Sequence, residues 1–285
     1  MRLDAAIAQT TERLSGVSDS ARLDAEILLC RSINMPRSYL FAHPEDELDP
    51  ITLDRFTALV DRRLSGEPIA YITGTREFWS RELLVSPATL VPRPETELLV
   101  SLALQEIPND TTWRILDLGT GSGAIAISIA GERPLCQITA TDISEDALSV
   151  AAENVRQADL TNVVCLKGNW TLPVVGLKFD LIVSNPPYVR EDDEALRHLR
   201  HEPLSALVAG PDGLRDIRDL ARSCKEILQP GGCLLLEHGF EQEADVASIL
   251  GNAGWAAITC HTDLAGKPRV TVARHSGTYT RTLPI

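Results

Sequence analysis

Asn185-Pro186-Pro187-Tyr188 stands directly after the apolar run Phe179-Asp180-Leu181-Ile182-Val183-Ser184 and has the makings of a holder for a planar amide or amino nitrogen. Such a nitrogen is a poor nucleophile, because its lone pair is delocalised into a carbonyl or a ring. A catalyst must fix it through its N–H donors and aim it at an electrophile. The Asn185 side-chain oxygen and the Pro186 carbonyl could accept those two N–H groups, while consecutive prolines restrict φ and stiffen the loop. Tyr188 offers a flat face against which a planar group packs. Taken alone, the same residues read equally well as a strand-ending turn with a buried tyrosine.

A second motif favours the chemical reading. Ile115-Leu116-Asp117-Leu118 reads as a short buried strand that runs into Gly119-Thr120-Gly121-Ser122-Gly123 and then an apolar helical stretch, Ala124 to Ala130. Glycines there let the backbone pass close to a ligand, and the helix N-terminus presents free N–H groups. The next strand, Gln137 to Thr141, ends on Asp142, 142 − 123 = 19 residues past the last glycine. That is where a dinucleotide fold places its acceptor for ribose hydroxyls. The competing role for Asp142 is to cap a helix from Glu145 to Gln157, which Ser144 could do equally well. Glycine turn, acid and Asn-Pro-Pro-Tyr all fall at the ends of successive strands, the edge at which open α/β sheets bind ligands. The nicotinamide fingerprint would carry its last glycine where Ala124 stands. S-adenosylmethionine fits the pattern better, with the acid for its adenosine, the glycine turn for its methionine part, and a sulfonium as electrophile.

Composition agrees with a cytoplasmic enzyme. A chain of 285 residues, 44% of them apolar, has material for about two domains. The formal net charge is −13, from 40 acidic against 27 basic residues, the opposite of a nucleic-acid footprint, so no nucleic acid is expected as substrate. Cys30, Cys136, Cys165, Cys224, Cys233 and Cys260 are scattered without a Cys-x-x-Cys pair, and read as buried thiols in a reducing compartment. His198, His201 and His238 lack metal-ligand spacing and read as surface or structural residues, and no metal site is expected. The N-terminus has Asp4 and Glu12 in its first helix and no apolar signal core, and no stretch approaches membrane-spanning length.

These residues require a scaffold to position them. Residues 1–75 read as a small helical bundle: Leu3, Ile7, Thr10 and Leu14 share one face, and Leu23, Ile27 and Cys30 the next. A further helix has Asp49 as cap and Pro50 as first residue, turns Leu53, Phe56, Val60 and Leu64 inward, and stops at Gly66. With 8 basic and 12 acidic residues, the bundle is no nucleic-acid clamp. Recognition of a protein partner and a purely structural cap are its two readings. Residues 76–91 suggest a hairpin linker with strands Arg76 to Trp79 and Glu82 to Val85. From 92 to 275 come a helix from Glu95 to about Glu106 and strands near 114–117, 137–141, 163–166, 180–184, 232–237, 255–260 and 270–274, with helices between most of them. That alternation predicts a doubly wound α/β sheet. Residues 276–285 show no periodicity and read as a loose C-terminal tail.

The chain resembles the release factor glutamine methyltransferases, which modify the Gln of the Gly-Gly-Gln loop in peptide chain release factors. The resemblance rests on Val91-Pro92-Arg93-Pro94-Glu95-Thr96-Glu97, Asp117 to Gly123, Asp142, Asn185 to Tyr188, Glu202-Pro203-Leu204-Ser205-Ala206-Leu207, Gly231-Gly232 with Leu236-Glu237-His238-Gly239, and Lys267-Pro268-Arg269-Val270. It implies a seven-stranded class I methyltransferase sheet whose last strand runs antiparallel, which the long Leu264 to Arg269 connection permits. It also implies S-adenosylmethionine as cofactor and release factors as partners, with neither nucleic acid nor membrane involved. Gly119, Thr120, Gly121, Ser122, Gly123, Asp142, Trp170 and Asn185 would contact the cofactor. Asn185, Pro186 and Tyr188 would be catalytic, and with Pro187 they would bind the substrate. Trp170 would pack on the adenine ring, beside Asn169 where the family often carries Asp. Arg93 and Glu95 would support the active site, and Glu202 and Pro203 would shape the loop over the substrate. Adenine-N6 methylation of nucleic acid uses the same tetrapeptide, but normally demands a base-flipping and sequence-reading module for which this chain lacks room. Methylation of a ribosomal protein glutamine is the nearer alternative, disfavoured by Pro92-Arg93-Pro94-Glu95. A non-catalytic cofactor-binding protein would not need the intact tetrapeptide.

Overall fold

The computed structural model describes residues 1–277, so most of the expected C-terminal tail, 278–285, lies outside the described residues. The chain divides into two compact units, Met1–Thr75 and Arg76–Ile285.

The first unit holds helices α1 (Leu3–Leu14), α2 (Ala21–Ile33), α3 (Arg37–Ala42), α4 (Pro50–Leu64) and α5 (Ile69–Thr73). Leu3, Ala6, Thr10 and Leu14 form the buried face of α1 and Phe56 and Val60 that of α4. Asp49 caps α4, its Oδ1 accepting the Ile51 and Thr52 N–H groups at 2.9 and 3.1 Å, with Pro50 where no donor is needed. The face expected for α2 is corrected. Leu23 is exposed and Ile27 and Cys30 are half-buried, whereas Ala25, Leu28 and Leu29 are fully buried beside Asp24 and Glu26. Arg63 pairs with Asp24 at 2.8 Å and Arg37 with Glu26 at 2.5 Å. Paired carboxylates tolerate burial, so a periodicity read on apolar residues alone misplaces the inward face.

A two-stranded hairpin follows, β1 (Thr75–Phe78) and β2 (Arg81–Leu84), all of it but Thr75 in the second unit. Each strand begins one residue earlier than the alternation predicts. The reason is the two-residue turn Trp79-Ser80, with both φ values positive (+52° and +55°) as a type I′ hairpin requires, although neither residue is Gly or Asn. The Trp79 N–H donates to Glu97 Oε1 at 2.9 Å and helps hold that geometry.

After a 3-10 turn at Pro94–Thr96 follow α6 (Glu97–Glu106), β3 (Arg114–Leu118), α7 (Ala124–Glu132), β4 (Gln137–Asp142), α8 (Glu145–Gln157), β5 (Val163–Lys167) and β6 (Phe179–Ser184). The unit continues with α9 (Arg215–Ile227), β7 (Leu228–Glu237), α10 (Glu243–Asn252), β8 (Ala256–Thr262) and β9 (Pro268–Arg274). Among the described residues, β3 to β9 form a seven-stranded sheet of order β5-β4-β3-β6-β7-β9-β8. The pairs β5–β4, β4–β3, β3–β6 and β6–β7 are parallel, and β9 runs antiparallel to both neighbours.

Alternation along the strands feeds two cores. Ile115, Leu181, Val183, Cys233 and Leu235 pack with residues of α6 and α7, whereas Leu116, Leu118, Ile182, Leu234 and Leu236 pack with residues of α9 and α10. Buried on both faces, β6 has no exposed position at all, as its apolar run anticipates. No helix among the described residues is long and apolar enough to cross a membrane.

Asn154 on α8, 2% exposed, ties three segments together. Its Oδ1 accepts the Leu84 N–H at 2.7 Å, and its Nδ2 donates to the Leu84 and Ser122 carbonyls, both at 2.9 Å. Asn154→Ala would strand these groups without a partner. It should lower unfolding free energy by about 1–3 kcal/mol in chemical denaturation, the usual cost of an unmet buried donor; an unshifted midpoint would show the contacts to be dispensable.

Candidate active site

The sheet reverses its strand order at β3, with β4 on one side and β6 on the other. Leu118 is in register with Ser184, so Gly119 and Asn185 leave adjacent strand ends together. The Gly119 and Thr120 N–H groups both donate to the Thr141 carbonyl at 2.9 Å, folding the turn against the end of β4. Gly119 has φ +72°, and a Cβ there would stand 3.2 Å from the Trp170 ring, so conformation and space both require glycine.

Asp142 accepts the Gly121 N–H on Oδ2 and the Ser144 N–H on Oδ1, each at 2.9 Å. It is not the cap of α8; that is Ser144, whose hydroxyl accepts the Ala147 N–H at 3.1 Å. The acid therefore binds the glycine turn to the end of β4 and faces a cavity of about 440 Å³. Gly119, Thr120, Gly121, Ser122, Asp142, Trp170 and Asn185 all line that cavity, as does Asn169. Gly123 does not. It precedes α7 at φ +83°, where a Cβ would meet Ile127 at 3.0 Å, so its part is in packing. The Thr120 hydroxyl is turned inward and donates to Asp117 Oδ2 at 2.6 Å. Asp117 is fully buried, and burial pushes its pKa up to about 7 against the opposing bonds from Thr120 and the Ala126 N–H.

Asn185 lines both this cavity and a smaller one of about 130 Å³ beside it. Pro187 faces the larger cavity, whereas Pro186 and Tyr188 face the smaller. Asn185 Nδ2 donates to Thr96 Oγ1 at 3.2 Å, which leaves Oδ1 as the amide's other end. No donor among the described residues pairs with Asn185 Oδ1 or the Pro186 carbonyl. The Tyr188 hydroxyl lies 3.4 Å from Glu237 Oε1, and burial beside that carboxyl drives the phenol pKa upward. Glu237 is itself 1% exposed, with its pKa raised to about 7 by burial.

Arg93 lines both cavities and pairs with Glu202 at 2.5 Å; the other oxygen of Glu202 accepts the Val91 N–H at 3.1 Å. This pins the Pro203–Ala206 segment, which also contributes to the larger cavity, to the segment before α6. Glu95 lines neither cavity, and its charge adds to the burial that raises the pKa of Glu237. His198 is exposed and His201 half-buried. His238 is buried, its ring bonded to Thr271 Oγ1 and the Gly239 carbonyl. Thr96, Asp117 and Glu237 were not singled out for a chemical part by the sequence. The available signal was a carboxylate within or closing an apolar strand, as in Leu234-Leu235-Leu236-Glu237.

Residues 5–74 match the model of the PrmC N-terminal domain, and residues 95–207 that of the methyltransferase small domain. The release factor glutamine methyltransferase of Xylella fastidiosa strain Temecula1 is 46% identical, covering 96% of this chain and 98% of the relative. That of Coxiella burnetii is also 46% identical, over 93% and 95% of the two chains. A crystal structure of a methyltransferase from Pyrococcus furiosus, 19% identical, shares the fold at a TM-score of 0.53, covering 76% of this chain and 98% of that one. Identity of this order along nearly the whole length places the chain in the release factor glutamine methyltransferase family.

Proposed function

We propose that the chain transfers a methyl group from S-adenosylmethionine to the side-chain amide nitrogen of the Gln in the Gly-Gly-Gln motif of release factors, in the cytoplasm. The observation that carries this reading is the pair of acceptors without a donor among the described residues, Asn185 Oδ1 and the Pro186 carbonyl, at the meeting of the two cavities. A primary amide has two N–H donors to match them.

The larger cavity fits the methyl donor. Asp142 keeps acceptor capacity for ribose hydroxyls, and the glycine turn clears space for the amino-acid end. Trp170 presents a flat face for adenine, with the Asn169 amide beside it in the lining. When bound, S-adenosylmethionine supplies a methyl group on a positively charged sulfur, open to in-line displacement. Asn185 and the Pro186 carbonyl hold the substrate amide and aim its nitrogen across the junction. As positive charge passes from sulfur to that nitrogen, the same acceptors interact with it more strongly than with the neutral amide, which is where their catalytic effect arises, and the nitrogen then gives up one proton to water. Tyr188 packs on the amide plane. The net charge of −13 opposes a polyanionic substrate.

In this proposal residues 76–91 link a release-factor-recognising unit, 1–75, to the methyltransferase domain, 92–275. An exposed glutamine loop offers little surface of its own, and a second domain gripping the protein body raises its effective concentration.

Asp142→Ala should weaken S-adenosylmethionine binding by at least about 1.5 kcal/mol in calorimetric titration, the low end for hydrogen bonds to a charged group. Unchanged affinity would reduce Asp142 to a tie between turn and strand. Asn185→Ala should slow methylation of a release factor, read by mass spectrometry, by roughly a hundredfold while cofactor affinity changes far less. Near-normal turnover, or methylation of adenine in DNA instead, would remove the proposed role. Deleting residues 1–75 should slow transfer to a folded release factor but spare a short Gly-Gly-Gln peptide; equal rates on both substrates would assign the unit a structural part.

A further inference from the structure

Gln242 holds the position just before α10, where a helix start calls for a short acceptor such as Ser, Asp or Asn, yet its side chain forms no capping bond. It is turned toward the tetrapeptide instead. Nε2 donates to the Tyr188 carbonyl at 3.0 Å and to the Gly213 carbonyl at 3.3 Å, and Oε1 accepts the Gly239 N–H at 2.8 Å. The Gln242 N–H returns to the Gly239 carbonyl at 2.9 Å, so the turn after β7 is closed by two reciprocal bonds and holds the side chain at its root. Both glycines make room for that amide. A Cβ on Gly213, where φ is +71°, would press into the Tyr188 carbonyl oxygen, and one on Gly239 would stand 3.0 Å from Gln242 Oε1.

We propose that Gln242 is a positioning residue for methyl transfer, which anchors the backbone of Tyr188 so that its ring stands where the substrate amide must pack. The inference rests on the part given to Tyr188 above. Pro186 and Pro187 have no N–H to donate, so the loop depends on the peptide that follows Tyr188 for its hold on the rest of the domain. That peptide is gripped from both edges. Its carbonyl accepts Gln242 Nε2, and its N–H, that of Val189, donates to the Leu207 carbonyl at 2.8 Å. Because a peptide unit is planar, two bonds on opposite edges stop it from swinging and thereby fix ψ of Tyr188. The hydroxyl of the same tyrosine lies 3.4 Å from Glu237 Oε1, so β7 and the turn after it reach the residue at its backbone and at its tip. Without the Gln242 donor the carbonyl edge is released, and the ring loses its fixed root.

The test uses full-length enzyme, S-adenosylmethionine and a release factor at about pH 8, where a surface carboxylate is ionised. Gln242→Glu keeps the acceptor for the Gly239 N–H but sets an oxygen against the Tyr188 and Gly213 carbonyls. It should lower kcat about tenfold while KM for the release factor and calorimetric affinity for S-adenosylmethionine stay within about twofold. Gly213→Ala displaces the same carbonyl from the other side and should give the same pattern. Normal cofactor titration shows a variant to be folded, and Gln242→Met, which keeps the length without either polar end, replaces any that fails it. A tie that served only to hold α10 in place would act independently of the tyrosine ring, so the decisive measurement is the same substitution in a Tyr188→Ala background. There Gln242→Glu should change kcat by less than about twofold, since the ring it positions is gone. Wild-type kcat in Gln242→Glu, a loss confined to cofactor affinity, or an undiminished loss in the Tyr188→Ala background would overturn the positioning role. If the wild-type enzyme leaves the release factor unmethylated, the functional reading itself falls and this inference with it.

Discussion

Everything at the site depends on one register, the parallel pairing of β3 with β6 that sets Leu118 opposite Ser184. It lies where the strand order reverses, the one place in an open α/β sheet where two neighbouring strands send their chains away in opposite directions and leave a crevice. Because both strands are buried on both faces, a slip of one residue would exchange inward and outward side chains along two cores. The hydrophobic pattern therefore locks the glycine turn against the Asn-Pro-Pro-Tyr loop. Proximity of methyl donor and acceptor sites is in that sense a property of the core.

Two buried carboxyls, Asp117 and Glu237, give the site its electrostatic character. Both sit at or near the carboxyl ends of central strands, and burial raises both to a pKa of about 7. A core built only for stability would hold apolar residues there, since an incompletely bonded buried acid is costly. Asp117 Oδ1 and Glu237 Oε2 are both buried without a partner in the described residues. The groups they do bond, Thr120 in the glycine turn and Tyr188 in the tetrapeptide, are cavity-lining residues. Each acid orders a loop that no apolar side chain could orient.

Loops, unlike strands, have no ladder to fix them, and here long-range polar contacts take that part. Asn154 joins the hairpin to the glycine turn across 70 and 32 residues of sequence. Glu202 joins two segments 109 residues apart through Arg93, and 111 apart through the Val91 N–H. These contacts fix the walls of the cavities without contributing atoms that react.

The sequence by itself determined the alternation of strands and helices, the glycine turn, the acid at Asp142 and the amide-holding loop. Each follows from short-range rules: apolar period, glycine conformational freedom, proline stiffness, and a fixed spacing between turn and acid. The strand limits were legible within a residue or two over most of the sheet because buried β-strands are nearly continuous apolar runs. Tertiary structure decided what those rules do not contain. The inward face of α2 depended on Arg63, 39 positions from Asp24, and on Arg37 of the next helix, which pair with Asp24 and Glu26. Gly123 left the cavity lining for a packing position because its neighbours Ile127 and Ala151 close on it. Thr96 and Glu237 came to the tetrapeptide only through strand pairing and the 3-10 turn before α6. Hydrogen bonds between residues 89 and 49 positions apart, such as Asn185 with Thr96 and Tyr188 with Glu237, leave no periodic trace in a sequence, since only the folded sheet brings their partners within reach.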